Sequence, residues 1–384
     1  MDNTTLRDSA DAAEVWLDLP DADIAWRQAE AFGSPAGRWR AYLGSLCLQA
    51  VLEWVRTDFD PAATVWPSAG ALASIWEIVD GTALQVAGRR WVLLSDAQLE
   101  SQALSVPQEW IDIPGWAADY YLAVQIDPTG GWARIWGYTT HARLKTRGRY
   151  DPPERLYSLD REELVGDLAC LWLEVQGRVA EPTRAPVAPL PPLARPQAEQ
   201  LLVRLSDARE VFVRLAIPFA LWGALIEHGG WRQQLCERRR GLPEQWSVRR
   251  WLAAGLTGLA AQAGWQPAQT APPALAAARD FQPAAGAFER ELTIQRRPYR
   301  LRIASQAEGV WRFSLSGVEA EDRVPAGFRL RLLTEDLQDF DRNEDRAEVA
   351  VEELFIEVAL DPGDGLVWEV EPQPDGYDRE ILRF

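Results

Sequence analysis

Residues 247–267, SVRRWLAAGLTGLAAQAGWQP, are the stretch around which this chain of 384 residues reads most coherently. Ser247 can cap a helix by accepting from a free backbone N–H. Trp251, Leu252, Leu256, Leu259, Ala260 and Ala263 recur at three- and four-residue intervals, which makes one helical face apolar. Gly264 is a suitable stop, and Pro267 cannot continue the helix. Gly255, Gly258 and the alanines would leave that face smooth enough for close packing. The spacing therefore predicts a single buried helix with a tryptophan at each end and no catalytic group. It lies between a helical block and a strand-rich acidic region, so it is expected to dock the latter against the helices of residues 217–240.

Downstream, short apolar runs at residues 292–294, 299–303, 310–315, 328–333, 349–360, 366–370 and 381–384 are separated by turn residues. Arg300, Arg302, Arg329 and Arg331 alternate with Leu301, Ile303, Leu330 and Leu332, the pattern of strands with one wet face. These runs predict a small acidic β-sandwich over residues 287–384. Upstream, residues 198–205, 219–227 and 231–240 have helical spacing. Pro218 stands at a start position, and His228, Gly229 and Gly230 read as an interruption. With 247–267 and an alanine- and proline-rich run to residue 286, they form a helical block over residues 198–286. Six prolines between residues 181 and 197 read as a polyproline-like linker and as the boundary between two halves.

The first half, residues 20–180, begins with an amphipathic helix at 21–32 that should turn Ile24, Ala25, Ala29 and Phe32 inward. A longer helix at 38–56 places Trp39, Leu43, Leu46, Cys47, Ala50, Val51 and Trp54 on one stripe. Runs 84–86 and 91–94 flank a glycine-bearing turn. Runs 120–126 and 132–138 flank DPTGG, a strong hairpin signal. Asp160 and Glu163 form an acidic capping box ahead of a helix carrying Leu164, Leu168, Leu171, Trp172 and Val175. The expected class is α+β: a helix-flanked antiparallel sheet domain, a Pro-rich linker, a helical block and a C-terminal β-sandwich. Residues 1–19 read as an acidic tail without the apolar core of a secretory signal.

The composition, 47% hydrophobic and 25% charged, is that of a globular protein. No apolar run reaches the roughly 18–20 residues needed to cross a bilayer, so a cytoplasmic protein without membrane association is expected. Cys47, Cys170 and Cys236 are far apart and each inside an apparent helix, which suits free thiols in a reducing compartment. A net charge of −17 argues against a nucleic-acid partner. The charge is uneven: residues 317–384 hold 20 acids against 7 arginines, and residues 231–302 hold 12 arginines against 5 acids. Those regions are expected to face each other or to grip a charged protein partner. Nineteen tryptophans stand against one methionine; most must be core, and a surplus could form an interaction patch.

Five segments, taken together, resemble the family known as domain of unknown function 1822, found mainly in cyanobacteria. They are residues 39–56 (WRAYLGSLCLQAVLEWVR), 76–89 (WEIVDGTALQVAGR), 121–137 (YLAVQIDPTGGWARIWG), 217–238 (IPFALWGALIEHGGWRQQLCER) and the 247–267 stretch ending AGWQ. The resemblance implies no chemistry, because the family has no established activity. It implies a regulatory or effector-associated role, since such genes often neighbour caspase-like (CHAT) proteases and sigma factors.

No phosphate-binding G-x-x-x-x-G-K-[ST], G-x-S-x-G or H-E-x-x-H occurs. His141 and His228 are the only histidines, which excludes a multi-histidine metal site within one chain. His228 and Cys236 could form a nucleophile pair, but a structural cysteine is the expected reading. His141 follows a strand and is expected to be solvated. In residues 339–345 (DFDRNED), Asp339, Asp341, Asn343 and Asp345 alternate as calcium ligands do. Glu344 replaces the turn glycine, however, and Ala350 the bidentate glutamate, so an acidic solvated loop is expected. No catalytic, metal or cofactor-binding residue is assigned. The leading expectation is a non-enzymatic interaction or regulatory protein with a protein partner. Arg238, Arg239, Arg240, Arg249, Arg250, Trp311 and Trp368 are its candidate surface. The alternatives are a hydrolase with dispersed carboxylates and a carbohydrate-binding sandwich using Trp311 and Trp368.

Overall fold

The structure, a computed structural model, describes residues 14–98, 102–175, 182–207, 209–268, 286–307, 309–319 and 321–384. The acidic tail before residue 14 and most of the alanine- and proline-rich run (269–285) lie outside the described residues. The chain divides into two compact units. One comprises the chain to Leu193 with Gln197–His228 and Gln234–Gly241; the other comprises Ala194–Pro196, Gly229–Gln233 and Leu242–Phe384.

In the first unit, β1 (Val15–Asp18), β2 (Thr64–Trp66), β3 (Thr82–Val86), β4 (Arg89–Asp96), β6 (Tyr120–Asp127) and β7 (Trp132–Thr140) form one sheet in the order β1-β7-β6-β4-β3-β2. β5 (Ala103–Pro107), β8 (Arg149–Asp151) and β9 (Leu156–Asp160) form a second, in the order β5-β9-β8. The main sheet is mixed, not purely antiparallel: β4 and β6 run parallel, with Trp91 opposite Tyr120. The crossover through β5 and helix Glu109–Asp112 supplies the length a parallel connection needs. Both expected hairpins form. The β3–β4 turn is tighter than expected, with only Ala87 (φ 47°) and Gly88 (φ 77°) between the strands. Two successive left-handed residues match the right-handed strand twist. In the β6–β7 turn, Asp127 Oδ1 accepts from the N–H of Thr129 (3.0 Å) and Gly130 (2.8 Å).

Helix Pro35–Asp58 covers the sheet. Ser34 caps it by accepting from Gly37 N–H at 2.9 Å, and proline stands at its first position. Leu46, Val51 and Val55 share one core with Leu84, Trp91, Leu122, Val124 and Ile135. Each such fully buried side chain contributes about 1.5–3 kcal/mol relative to exposure. The expected stripe is only partly buried: Ile24 is 46% exposed and Trp39 is 46% exposed. Helical period fixes which residues share a face, not whether the chain covers that face.

The second unit contains β10 (Trp265–Pro267), β11 (Ala287–Ile294), β12 (Arg297–Ala307), β13 (Val310–Gly317), β14 (Arg329–Thr334), β15 (Glu344–Arg346), β16 (Glu353–Ala359), β17 (Gly365–Glu371) and β18 (Ile381–Arg383). They build two antiparallel sheets, β10-β11-β12-β13-β16 and β15-β14-β17-β18. Leu301, Ile303, Phe313 and Leu315 from one sheet share a core with Leu330, Leu332, Trp368 and Val370 from the other. This is the expected α+β class with its C-terminal sandwich. The basic and acidic stretches do meet within this unit, at Arg232–Asp378 and at Arg290–Glu380 (3.1 Å).

The 247–267 stretch is not one helix. It forms Val248–Ala254, a break, Gly258–Gln262, and then β10. Ser247 caps as expected, accepting from Arg250 N–H at 3.4 Å. Gly255, however, has φ 86° and ψ 169°, a conformation in which no helix continues. Thr257 caps the second helix, and its hydroxyl donates to Gln245 O at 2.9 Å. Trp251 Nε1 donates to the same carbonyl at 2.8 Å. A Cβ added at Gly255 or Gly258 would meet no atom within 4 Å, so neither glycine serves close packing. The close approach is at Gly230 instead, in helix Gly229–Arg239, where a Cβ would lie 2.5 Å from Ile381 Cγ1. The chain does break after Glu227, as read, but only at His228; the glycine pair opens the second helix.

The proline run is not a free linker either. Thr183, Arg184 and Ala185 are hydrogen-bonded within the first unit, and Leu193 is buried there. Side-chain and backbone bonds hold it down even though its prolines leave it few N–H donors.

Three glycine variants separate these cases by melting temperature. Gly230→Ala should destabilise through overpacking by about 1–3 kcal/mol. Gly255→Ala should cost about 1–3 kcal/mol through its backbone alone. Gly258→Ala, at an open helix position, should leave the melting temperature unchanged or higher.

Candidate functional site

The strand ends where β4 and β6 begin and β7 finishes carry a dense polar constellation. Tyr120 is paired with Trp91 on one side and with Thr140 on the other, so these three positions lie side by side. Asp119, just before β6, is 3% exposed. Its carboxylate accepts from Arg90 N–H (2.9 Å), Arg184 Nη2 (2.6 Å), Thr183 Oγ1 (2.8 Å) and Arg89 Nη1 (3.3 Å). Burial alone would raise its pKa. The hydrogen bonds from Arg184, Arg90 and Thr183 outweigh that and hold it below the usual carboxylate range.

Asp119 and His141 together pin the segment after residue 181. His141 is fully buried, which corrects its reading as a solvated residue. Its Nδ1 accepts from Ala185 N–H at 3.0 Å, and its Nε2 lies 2.9 Å from Ile111 O. An accepting Nδ1 requires the neutral ring with the proton on Nε2. Burial pushes its pKa down, opposed by the Ile111 hydrogen bond, with Lys145 and Arg184 lowering it and Asp112 raising it. Ala142 N–H adds a bond to Thr183 O at 2.9 Å.

Beside this anchor is a cavity of about 530 Å³. Arg89, Arg143 and Arg147 line it together with Thr139, Tyr138 and Glu174. Tyr138 donates to Glu174 Oε1 at 3.0 Å. Burial and then the nearby Glu174 carboxylate raise the Tyr120 hydroxyl to about 12, so this wall stays protonated at neutral pH. A second cavity of about 520 Å³ is lined by Asp80, Asp96, Ser95, Ser105 and Trp136.

The residues expected to form one interaction surface are dispersed. Arg239 is buried against Glu77, with Nε 3.2 Å from the carboxylate. Arg238 pairs with Glu199 at 2.9 Å, and Arg240 donates to Ala31 O at 3.0 Å. Arg250 is exposed, and Arg249 is half-buried. Trp311 and Trp368 are 3% and 1% exposed, so neither offers a ring face to solvent. The correction has a physical cause: a sandwich strand turns alternate residues inward, and both indoles fall on the inner register.

Cys47 and Cys236 are buried and free, and burial pushes both thiols up to about 12. Cys236 Sγ lies 3.5 Å from Ala73 O, the environment of an inert structural thiol. Cys170 is free but only half-buried. In the 339–345 loop, Asp339 is engaged by Arg331 (2.6 Å) and Asn343 (2.7 Å), whereas Asp345 accepts from Phe355 N–H (2.9 Å). Those carboxylates serve separate partners.

The family model described as "Protein of unknown function (DUF1822)" matches residues 15–383. The chain belongs to that family. No curated protein and no solved structure matches it. No described helix is long and apolar enough to cross a membrane. For this DUF1822 member, sequence reasoning missed Asp119 and the Arg143/Arg147 pair and misread His141. The available signals were a lone acid inside the apolar run AADYYLAV and two arginines four residues apart.

The sign of the His141 shift sets a pH test. The unfolded imidazole, with a pKa of about 6.5, binds a proton more readily than the folded one. Its contribution to stability is therefore complete above about pH 6.5 and is lost as pH falls below that value. Between pH 7 and 5 the wild-type melting temperature should fall more steeply than that of His141→Gln.

Proposed function

We propose that the protein is a non-enzymatic interaction protein whose first unit presents an aromatic patch to a protein partner. One observation carries this reading: Trp26 and Trp39 are 39% and 46% exposed, and both pack on the buried Tyr42. Trp26 stands edge-on to Tyr42 with centroids 5.2 Å apart, and Trp39 packs on the same ring at 5.6 Å. Exposed Ile24 belongs to the same helix as Trp26. Asp21 caps that helix, accepting from Asp23 and Ile24 N–H, and Ser34 caps the next. The indoles are thus held near the capped starts of two helices, one short and one long, which lowers the entropy lost on binding. Tryptophans so placed are the commonest energetic anchors of interfaces, and a rigid apolar cluster left in water favours being covered. The caspase-like (CHAT) protease and sigma-factor systems implied by the family resemblance supply the first partners to try.

The test compares the full chain with Trp26→Ser/Trp39→Ser in binding to individually purified candidates. Equal melting temperatures with an affinity at least tenfold lower in the variant support the patch, since a truncated hot spot costs about 2 kcal/mol or more. Equal affinities for a bound partner would remove the patch from the interface.

A second reading is favoured by one feature: Asp80 and Asp96 line the same cavity. Paired carboxylates in a cleft are the minimum for acid–base hydrolysis. Turnover of any glycoside or ester substrate that is abolished in Asp96→Asn, with the fold intact, would establish that reading in place of the first.

A further inference from the structure

We infer that the cavity beside Asp119 is a binding site for a small organic phosphate, a dianionic head on an apolar body. The argument starts from charge. Arg89 and Arg184 already share Asp119. Arg143 and Arg147 have no ion-pair or side-chain hydrogen-bond partner among the described residues, and both line the cavity. They lie four residues apart on helix His141–Arg147 and therefore on one face. Like charges at that spacing repel by some tenths of a kcal/mol. Arg143 also stands in the first turn, where a cation opposes the helix dipole. Lys145 between them is turned to Asp112 and Tyr157, at 2.7 Å and 3.2 Å. The helix thus sorts its cations, one neutralised on a carboxylate and two facing empty space.

The rest of the lining suits an anion on an apolar body. Glu174 is the only carboxylate among the described lining residues, and Tyr138 already donates to its Oε1. Val165 and Pro182 supply apolar wall. The volume, about 530 Å³, lies in the range of small-molecule sites. A phosphate monoester carries about −1.5 to −2 at pH 7, which matches two unpaired guanidiniums better than a monoanion does. Arginine also presents paired donors that fit phosphate oxygens.

Calorimetry with the full chain tests this site, using phenyl phosphate, phenol and benzoate as probes. Phenyl phosphate should bind, with phenol silent and benzoate weaker. Arg143→Ala/Arg147→Ala should weaken phenyl phosphate at least tenfold without lowering the melting temperature. Arg149→Ala, outside the cavity lining, should bind as the wild type does. No heat with phenyl phosphate at millimolar concentration, equal binding of phenol, or undiminished binding in the folded double-arginine variant would each overturn the inference.

Discussion

Buried carboxylates that collect arginine and indole donors hold each unit together. Glu109 is fully buried and accepts from Arg214 at 3.0 and 2.7 Å and from Trp222 Nε1 at 2.7 Å. In the other unit, Glu380 accepts from Trp265 Nε1 (2.9 Å), Trp368 Nε1 (2.6 Å) and Arg290 (3.1 Å). Taking a carboxylate out of water costs several kcal/mol unless its lone pairs are filled. Burial accordingly raises the Glu380 pKa, with Arg290 and the two indoles pulling against it. The donors to Glu109 come from 105 and 113 residues away. Neither carboxylate can be satisfied until those distant segments have arrived, so the networks tie the unit's order to its completeness. Removing one partner leaves a buried charge uncompensated, which makes these positions far less tolerant than the surface ion pairs of β14 and β17.

The tryptophan content follows from the same constraint. Eleven of the nineteen are buried, and an indole combines large apolar area with a single donor. It can fill a core and still satisfy a carboxylate there. Trp26 and Trp39 do neither, and this sets them apart. Helical spacing in the chain treats Trp39 and Leu43 alike, yet Leu43 is buried and Trp39 is not. The opposite misreading befell Trp311 and Trp368, which look available in the sequence and are interior.

The proline-rich run shows how a segment without regular structure can still be ordered. Thr183, Arg184 and Ala185 place a hydroxyl, a guanidinium and an N–H on Asp119 and His141, and Pro182 and Thr183 become cavity wall. Composition alone assigns such a stretch to a spacer, because proline lacks the donor that sheets and helices use. The partners that hold it stand just before and just after the β6–β7 hairpin, about 40 to 65 residues earlier.

By itself the sequence determined what depends on near neighbours. The caps at Ser247 and Asp160, both hairpins, the long helix and the alternating strands of the sandwich all follow from spacing and turn chemistry within a few residues. The tertiary structure alone decided the parallel pairing of β4 with β6, the burial of His141 and the arginines that Asp119 and Glu109 receive. It also decided the break at Gly255, where local periodicity runs unbroken but Thr257 and Trp251 both reach Gln245 O and hold the chain in two short helices. The reason is common to all four. Period and propensity record which side chains share a face, whereas burial, pairing and protonation depend on what a distant segment brings to that face.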